Sequence, residues 1–341
     1  MRQAQSDAIG TRPIQPVVEE NQPARAQRSR PHVTSFRQWN SQLDDALSRL
    51  PESDACPHEL FRILATSSTD SRKLIALVRE RDAPVAIVAL RRTPHGCWVP
   101  VTRYIVPGFV LPSQPGRLLD AVASVGVTVE LGFWRPEKEP QSHGAVRALW
   151  SEPTFGMDAT DDFEAYWRKT GRWDAIRKSR RKCSGFSVGI NQPGAARLIV
   201  KEWGKTWRID GAEIADRVAA AEYMEATGRL VSILLSDGDR RVGGATCLIH
   251  ENELVAQVYF RDHEYDRFDI GTYLIYLTFE MVGRFNLRGI DLGGGHDYKQ
   301  RFAPVKGVKH EMRICGNIMR YQFGRAMRKL RRVTNINRPA E

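Results

Sequence analysis

The stretch LVSILLSDGDRRVGGATCLIH, residues 230–250, decides the fold. It contains two apolar runs joined by a polar turn at Asp237-Gly238-Asp239, a pattern that predicts a β-hairpin. A similar stretch, LIALVRERDAPVAIVAL, lies about 156 residues earlier, at residues 74–90. The recurrence of this hairpin pattern indicates that one structural unit occurs twice in the chain.

The elements around each hairpin follow the same order in both places. Further strands are predicted at residues 98–106, 127–132, 254–260 and 289–293. Helices are predicted at residues 36–50, 115–122, 161–173, 212–227 and 271–282. The repeated order of strand, turn, strand, strand, helix and strand predicts a mixed α/β (α+β) fold with tandem sheets flanked by helices.

The composition of the 341-residue chain indicates where its folded part begins and where the protein is located. Residues 1–30 lack an apolar segment and a cleavage pattern, so they predict a disordered leader rather than a secretory signal. No apolar run approaches the roughly 18 to 20 residues that span a bilayer. We therefore predict a cytoplasmic protein, and peripheral contact of the protein with the inner membrane face is the alternative. The predicted domains are a leader at 1–33, a degenerate first half at 34–155, a second half at 156–315 that contains the candidate site, and a basic tail at 316–341.

The net charge of +11 favours a partner that carries phosphate or an anionic lipid surface. Basic residues cluster at Arg172–Lys182 and Arg325–Arg332, where solvated helical faces are the alternative interpretation. Five cysteines without a CxxC pair argue against disulfides and structural zinc. The adjacent His-Glu pairs lack a second histidine at helical spacing, so no metal is predicted.

A cofactor site is predicted where the second hairpin meets the helix that opens near Gly271. Gly243 and Gly244 would leave backbone groups open to a close-lying ligand. The first amides of the helix would hold a diphosphate, with added charge from Arg267. This arrangement suits coenzyme A, whose pantetheine arm is peptide-like. The residues assigned to the cofactor are Val242, Gly243, Gly244, Arg267, Ile270, Gly271 and Thr272.

The segment His296-Asp297-Tyr298-Lys299-Gln300-Arg301-Phe302 follows a strand end and contains several titratable side chains. Acylation of an amine needs a base for the ammonium proton and an acid for the leaving thiolate. Asp291, His296 or Asp297 are candidate bases, and Tyr298 is the candidate acid. Packing of Tyr298 and Phe302 in the core is the alternative. The catalytic candidates are Asp291, His296, Asp297, Tyr298 and Lys299.

These residues carry a family resemblance that extends from about Phe163 to Phe302. The segment Asp291–Phe302, the hairpin before it and the helix after Gly271 resemble GNAT-superfamily acetyltransferases of the CelD/BcsL-like, cellulose-biosynthesis type, which are distant relatives of Fem transferases. The resemblance implies an acyl-CoA N-acyltransferase fold, often with two such halves, and direct transfer without a covalent intermediate. The diphosphate loop departs from the family pattern, because Asp266 and Asp269 replace its leading Arg/Gln and its first glycine.

Three functions are therefore considered. The first is an N-acyltransferase that uses acetyl-CoA, or another acyl-CoA, on an amine of a small molecule, amino sugar or envelope/polysaccharide precursor, with a backbone N–H near Gly243 or Gly244 stabilising negative charge. The second is a Fem-like transferase that takes an aminoacyl group from tRNA. The third is a non-catalytic scaffold that binds a membrane or partner through its tail. Nucleic acid is not the expected partner. The sequence leaves the acceptor and the oligomeric state open.

Overall fold

The computed structural model describes most of the chain beyond residue 31. The described residues are 32–52, 56–67, 73–93, 97–102, 109–110, 116–124, 128–134, 146–294 and 296–315. The predicted leader up to residue 31, the tail from residue 316 and the basic run Arg325–Arg332 lie outside these ranges.

The described strands form one mixed sheet. They are β1 (His32–Phe36), β2 (Lys73–Glu80), β3 (Ala83–Arg92), β4 (Trp98–Pro100), β5 (Phe109–Val110), β6 (Thr128–Trp134), β7 (Val146–Asp158), β8 (Ser187–Ile190), β9 (Leu230–Asp237), β10 (Arg240–His250), β11 (Glu253–Arg261), β12 (Gly289–Gly293) and β13 (Val305–Cys315).

The described helices flank this sheet. They are α1 (Ser41–Ser48), α2 (His58–Thr66), α3 (Gly116–Ser124), α4 (Phe163–Lys169), α5 (Trp173–Lys182), α6 (Ala195–Trp207), α7 (Gly211–Ala226) and α8 (Ile270–Arg284). Two short 3-10 helices cover His263–Phe268 and Asp297–Arg301.

The strand order confirms the repeat predicted from the two hairpins. Across the sheet the strands run β1-β2-β3-β4-β6-β13-β7-β12-β11-β10-β9-β8, with β5 beside β3. In the first half, β4 pairs with β6 in parallel, and in the second half β11 pairs with β12 in parallel. All other neighbours in the order are antiparallel. The tandem arrangement of two mixed α/β units is therefore present.

The two halves exchange their last strands. β7 follows β6 in the chain but pairs with β12, and β13 follows β12 but pairs with β6. β7 and β13 also pair with each other from Val146↔Cys315 to Phe155↔Val305. The boundary predicted at residues 155/156 lies within β7, so each half is completed by a strand that the other half supplies. The limits of the four domains stay a prediction.

Alternating side chains of the strands face two helical layers. One face packs against α1, α2, α6 and α7, whose buried residues form a single core that runs through both halves. The opposite face packs against α3 in the first half and against α4, α5 and α8 in the second. The second half therefore has its basic helix α5 and the helix α8 on the same side of the sheet.

Two predicted helices differ in the structure. The helix predicted from residue 36 begins at Ser41, because Asn40 accepts a hydrogen bond from the Leu43 amide (3.1 Å) and caps it. Phe36 instead ends β1. The helix predicted through residue 173 ends at Lys169, because Gly171 adopts φ of 67° beyond its C-terminus, and α5 then begins at Trp173.

The remaining predicted strands and helices mostly agree with the structure, whereas seven elements were not predicted. The hairpins β2–β3 and β9–β10, strands β6, β11 and β12, and helices α3, α7 and α8 all occur where the sequence indicates them. Of the predicted strand at 98–106, only Trp98–Pro100 is a described strand, and residues 103–106 lie outside the described ranges. The missed elements are α2, α6, β1, β5, β7, β8 and β13.

A buried charge network joins the first half to α7. Asp216 is 4% exposed and accepts a hydrogen bond from Arg91 Nε of β3 at 3.0 Å. Lys73 Nζ of β2 lies 3.7 Å from the other oxygen of Asp216, which also accepts a hydrogen bond from Ser67. Arg91 Nη1 further donates to Asp210, just before α7, at 3.1 Å. Breaking a buried pair leaves an uncompensated charge in the interior.

Asp216→Ala is therefore expected to lower the free energy of unfolding by about 3 to 5 kcal/mol. Urea denaturation followed by circular dichroism measures this loss. The control is Asp45→Ala, which removes an exposed ion pair with Arg49 and should cost less than about 1 kcal/mol. Equal effects of the two substitutions would contradict a structural role for the network.

Candidate active site

The sheet opens between β11 and β12. The two strands pair only from Glu253↔Gly289 to Val255↔Asp291, and within the described residues no later pair joins them. β11 also contains a bulge at Gln257, because Thr246 pairs with Val258 whereas Cys247 pairs with Ala256. Bulges bend a strand and are frequent beside active sites. The carboxyl-terminal half of β11 thus no longer pairs with β12, while it stays paired with β10.

A cleft of about 670 Å³ lies at this opening. Its walls come from the end of β11, the first turns of α8, the segment after β12 and the end of α6. The lining includes the side chains of Trp207, Tyr259, Arg261, Thr272, His296 and Tyr298 and the backbone of Gly271. Four separate parts of the second half therefore converge on one depression.

The N-terminus of α8 presents unpaired amides at this cleft. The amides of Thr272 and Tyr273 bond the Asp269 carbonyl, whereas those of Ile270 and Gly271 have no partner within the described part of the chain. Asp269 adopts φ of 58° and does not cap the helix with its side chain. Its carboxylate pairs with Lys182 of α5 at 3.0 Å. The helix therefore keeps the positive end that attracts anions.

Arg261 lines the cleft beside this helix terminus, whereas the predicted Arg267 does not line it. Arg261 ends β11 and lines the cleft, and its Nη1 lies 3.9 Å from the position of a Cβ at Gly271. Arg267 instead lies over the Phe268 ring, 4.9 Å from its centroid. Asp266 is 3.4 Å from Arg261 Nε and 3.3 Å from His263 Nδ1. The two carboxylates that replace the family's loop residues are thus paired with basic side chains.

The glycines of β10 do not leave backbone groups open, in contrast to the prediction. Gly243 and Gly244 lie in an interior strand and pair with β9 on one side and β11 on the other. A Cβ at Gly243 would meet Ile270 at 2.6 Å, and one at Gly244 would meet Ile199 at 2.7 Å. Val242 is fully buried, and its carbonyl accepts the Asp262 amide at 2.9 Å. These glycines allow α8 and α6 to pack closely on the sheet.

Two of the predicted catalytic residues lie in the cleft. Tyr298 is 43% exposed, and its ring stacks at 5.8 Å from that of His296. Burial of the Tyr298 phenol raises its pKa, although Arg261 acts in the opposite direction. The phenol is therefore protonated at neutral pH. The alternative of core packing holds for Phe302, which is 2% exposed, and not for Tyr298.

The other three candidates do not line the cleft. Asp291 is 1% exposed, and its Oδ1 accepts the Gly293 amide at 2.7 Å, which supports the left-handed turn at that glycine. Lys299 Nζ donates to the carbonyl oxygens of Leu292 and Gly294 at 2.6 and 2.8 Å. Burial, followed by the charge of Lys309, lowers the pKa of Lys299 to about 8. Asp297 is exposed outside the lining.

Sequence reasoning missed Arg261 and also two further residues of the cleft, Trp207 and Arg172. Trp207, the last residue of α6, is 59% exposed although tryptophan is usually well buried. Arg172 precedes α5 with its guanidinium 5.5 Å from the Phe302 ring centroid, and burial lowers its pKa, with a further contribution from Arg301. Arg172 begins the basic run that the sequence singles out, although no site role was assigned to it. No sequence signal marks Trp207, because α6 itself was not predicted.

The described residues lack both a candidate metal centre and a membrane-spanning helix. No group of three or more His, Cys, Asp and Glu side chains within them is arranged to hold a metal ion. Likewise, none of their helices has the length and apolar character needed to cross a membrane.

Residues 172–301 match the family described as acetyltransferase (GNAT) domain. Among solved structures, L-PGS from Bacillus licheniformis has a TM-score of 0.50 and 11% identity over 87% of this chain and 97% of that chain. At such identity the likeness shows the fold alone.

Two other solved structures resemble the chain at lower scores. A tandem GNAT protein from the clavulanic acid biosynthesis pathway has a TM-score of 0.48 and 11% identity. The match covers 84% of this chain and 99% of that protein's chain. FemX has a TM-score of 0.44 and 11% identity, and the match covers 85% of this chain and 99% of FemX. No curated protein matches the sequence. The segment 172–301 is thus similar to a GNAT acetyltransferase domain, and this similarity indicates an acyltransferase.

Proposed function

We propose that the protein is an N-acyltransferase that transfers an acyl group from acetyl-CoA, or another acyl-CoA, directly to an amine of a small molecule, amino sugar or envelope/polysaccharide precursor. The observation that supports this most strongly is the common cleft. Its lining brings together the first turn of α8, the cation Arg261 and the titratable pair His296 and Tyr298.

The residues present fit an acyl-CoA donor. The unpaired amides of Ile270 and Gly271 and the guanidinium of Arg261 would hold the diphosphate. The opening between β11 and β12 would admit the peptide-like arm along the free edge of β11. When bound, acyl-CoA supplies a thioester carbonyl that an amine can attack. The chain's own task is to hold the reactants together and to move protons.

The roles of the proton-transfer residues follow from their positions. Tyr298 holds at its Oη the proton that a departing thiolate requires, and its raised pKa keeps that proton in place at neutral pH. His296, stacked beside it and exposed to the cleft, is the group placed to take a proton from the acceptor ammonium. Asp291 and Lys299 shape the strand end that carries both side chains.

Trp207 indicates where the acceptor binds. Trp207 and Tyr298 are the two aromatic side chains among the large exposed hydrophobic residues of the described ranges, and both line the cleft. An exposed indole offers a flat apolar face with a negative quadrupole, which attracts cations and the C–H face of a sugar ring. A protonated amino sugar combines both features. The acceptor is therefore proposed to lie on the α6 side of the cleft.

Trp207→Ala is expected to raise the KM for the acceptor about tenfold, because an exposed cation–π contact contributes roughly 1 kcal/mol and stacking adds to it. The dissociation constant for acetyl-CoA should not change. Steady-state kinetics and calorimetry measure the two quantities separately. A loss of acetyl-CoA affinity with an unchanged acceptor KM would contradict this assignment.

The activity itself is tested by thiol release from acetyl-CoA with a panel of amino sugars, amino acids and polyamines. We expect release that depends on one class of amine, together with a rise in melting temperature when acetyl-CoA is added. Neither amine-dependent release nor a thermal shift at millimolar acetyl-CoA would contradict the proposal.

Several finer expectations belong to this proposal. The CelD/BcsL-like assignment and a role in polysaccharide biosynthesis stay predictions. A cytoplasmic location is supported by Cys56, Cys97, Cys183 and Cys247, which are unpaired and buried in the part of the chain that the structure describes. The Fem-like alternative is favoured only by the basic helix α5. It predicts salt-dependent binding of aminoacyl-tRNA, which a filter-binding assay measures.

A further inference from the structure

The described residues that line the cleft include no acidic side chain. The ionisable side chains with a basic nitrogen are Arg172, Arg261, His263 and His296, and no aspartate or glutamate accompanies them in the lining. Arg261 and His263 both contact the carboxylate of Asp266, which lies outside the lining. A cleft of this composition disfavours an acceptor whose only charge is a positive one, because no described carboxylate is placed to pair with its ammonium group.

Arg172 lines this cleft without a counter-charge in the described part of the chain. Its guanidinium makes neither an ion pair nor a hydrogen bond there, and its Nε is buried without a partner. Burial lowers the pKa of Arg172, and the charge of Arg301 lowers it further, so the surroundings add positive charge instead of balancing it. Leaving a buried donor of a charged group unpaired is costly. The guanidinium is therefore placed for an anion that these residues do not supply.

The Arg172 guanidinium lies beside the residues proposed to move protons. It is 5.5 Å from the centroid of the Phe302 ring, and that ring is 6.5 Å from the ring of Tyr298. Tyr298 in turn stacks on His296 at 5.8 Å. Trp167 Nε1 donates to the Phe302 carbonyl at 2.9 Å, which holds the segment before Arg172 against the segment after Tyr298. A small molecule with its amine at His296 can therefore place a second group at Arg172.

The position of Arg172 separates it from the proposed diphosphate site. Lys182, the last residue of α5, contacts Asp269 before α8 at 3.0 Å. Arg172 precedes α5 at its opposite end, and a helix of 10 residues is about 15 Å long. The pantetheine arm that would enter the cleft carries no charge. The positive charge of Arg172 is therefore left for the acceptor and not for the donor.

We infer that the acceptor is an amine that also carries an oxyanion, either a carboxylate or a phosphate group, and that Arg172 binds this oxyanion. This inference rests on the proposed function and narrows its acceptor to anionic amines, such as amino acids and amino sugar phosphates. The planar guanidinium presents parallel N–H donors that match both kinds of oxyanion. The oxyanion balances the acceptor's own ammonium, and Trp207 contacts the uncharged remainder of the molecule. Arg172 thus determines specificity and takes no part in proton transfer.

The test compares anionic amines with their uncharged counterparts in thiol release from acetyl-CoA by the full chain. Amino sugar phosphates are paired with the parent amino sugars, and amino acids are paired with the corresponding amino-acid amides. The wild type should prefer the anionic member of at least one pair by about thirtyfold in kcat/KM. A preference among the sugars identifies the oxyanion as a phosphate, and a preference among the amino acids identifies it as a carboxylate.

Three variants assign this preference to one side chain. Arg172→Met keeps an apolar contact with Phe302, and it should lose the preference while it acylates the uncharged amine as the wild type does. Arg172→Lys keeps the charge without the planar pair of donors and should retain part of the preference. The matched control, Arg177→Met, removes an exposed guanidinium of α5 outside the cleft lining and should keep the full preference.

Four outcomes would overturn the inference. Equal kcat/KM of the wild type for the anionic and uncharged amines would exclude the oxyanion site and leave the proposed function intact. A preference that persists in Arg172→Met would place the oxyanion at another residue. An equal loss of activity with both members of a pair in Arg172→Met would assign Arg172 a structural role. Absence of thiol release with every amine would contradict the proposed function and the inference together.

Discussion

Gly271→Asp is expected to raise the dissociation constant for acetyl-CoA by about a hundredfold. A carboxylate at this position lies in the first turn of α8, beside the amides that would hold the diphosphate. Two like charges about 4 Å apart repel by up to about 4 kcal/mol near a protein surface, and a hundredfold change corresponds to about 2.7 kcal/mol. Calorimetric titration with acetyl-CoA measures the effect.

Two variants control for side-chain size and helix stability. Gly271→Ala should retain binding, because the added Cβ approaches only Arg261 Nη1 at 3.9 Å. Gly283→Asp makes the same substitution near the other end of α8, where a Cβ meets nothing within 4 Å, and should bind acetyl-CoA normally. If Gly271→Asp binds as tightly as Gly283→Asp, the diphosphate does not rest on this helix terminus.

Tyr298→Phe is expected to lower kcat by about a hundredfold or more with little change in the dissociation constant of acetyl-CoA. The substitution removes a proton donor and keeps the ring that stacks on His296. Because burial raises the pKa of Tyr298, the wild-type phenol keeps its proton as the pH rises from neutral, and its contribution is lost only when the pH passes through that raised pKa. The alkaline decline in kcat should therefore lie above the ordinary tyrosine range.

The control for this variant is Tyr265→Phe. Tyr265 donates to Asp237 at 3.0 Å outside the cleft lining, so its loss should leave kcat unchanged. A Tyr298→Phe variant with wild-type kcat, or one whose alkaline decline matches that of the wild type, would show that Tyr298 is not the acid.

Local sequence patterns predicted the repeated unit because each strand and helix carries its own periodicity. The hairpin β9–β10 and α8 are examples, since their apolar spacing is set by burial against the same core. The exchange of β7 and β13 could not be predicted. Strand pairing depends on the neighbouring strand in space, and a strand that pairs with the other half has the same alternation as one that pairs with its own.

The site was predicted only in part for a similar reason. The structure places Gly271 and Tyr298 in the lining of one cleft, and their roles as cofactor-binding and catalytic residues stay predictions. The sequence placed the open backbone at Gly243 and Gly244, where glycine instead permits close packing of helices on the sheet. A glycine shows that space is limited or that a turn is needed, and the sequence does not tell these apart from ligand access.

The sequence also did not predict which partners the charged side chains of the site contact. Asp269 and Asp266 pair with Lys182 and Arg261, which lie on α5 and β11. Lys299 donates to two carbonyl groups of its own strand end, a role that its position beside Tyr298 does not indicate. Such contacts depend on side-chain directions and distances across elements, which spacing along the chain leaves undetermined.

The central claim concerns the donor, and a crystal structure of the full chain with coenzyme A tests it most directly. We expect the diphosphate within hydrogen-bond distance of the Ile270 and Gly271 amides, and the pantetheine arm between β11 and β12 with its sulfur in the cleft beside Tyr298. Coenzyme A bound elsewhere, or a cleft that closes with its own side chains at saturating coenzyme A, would contradict the account.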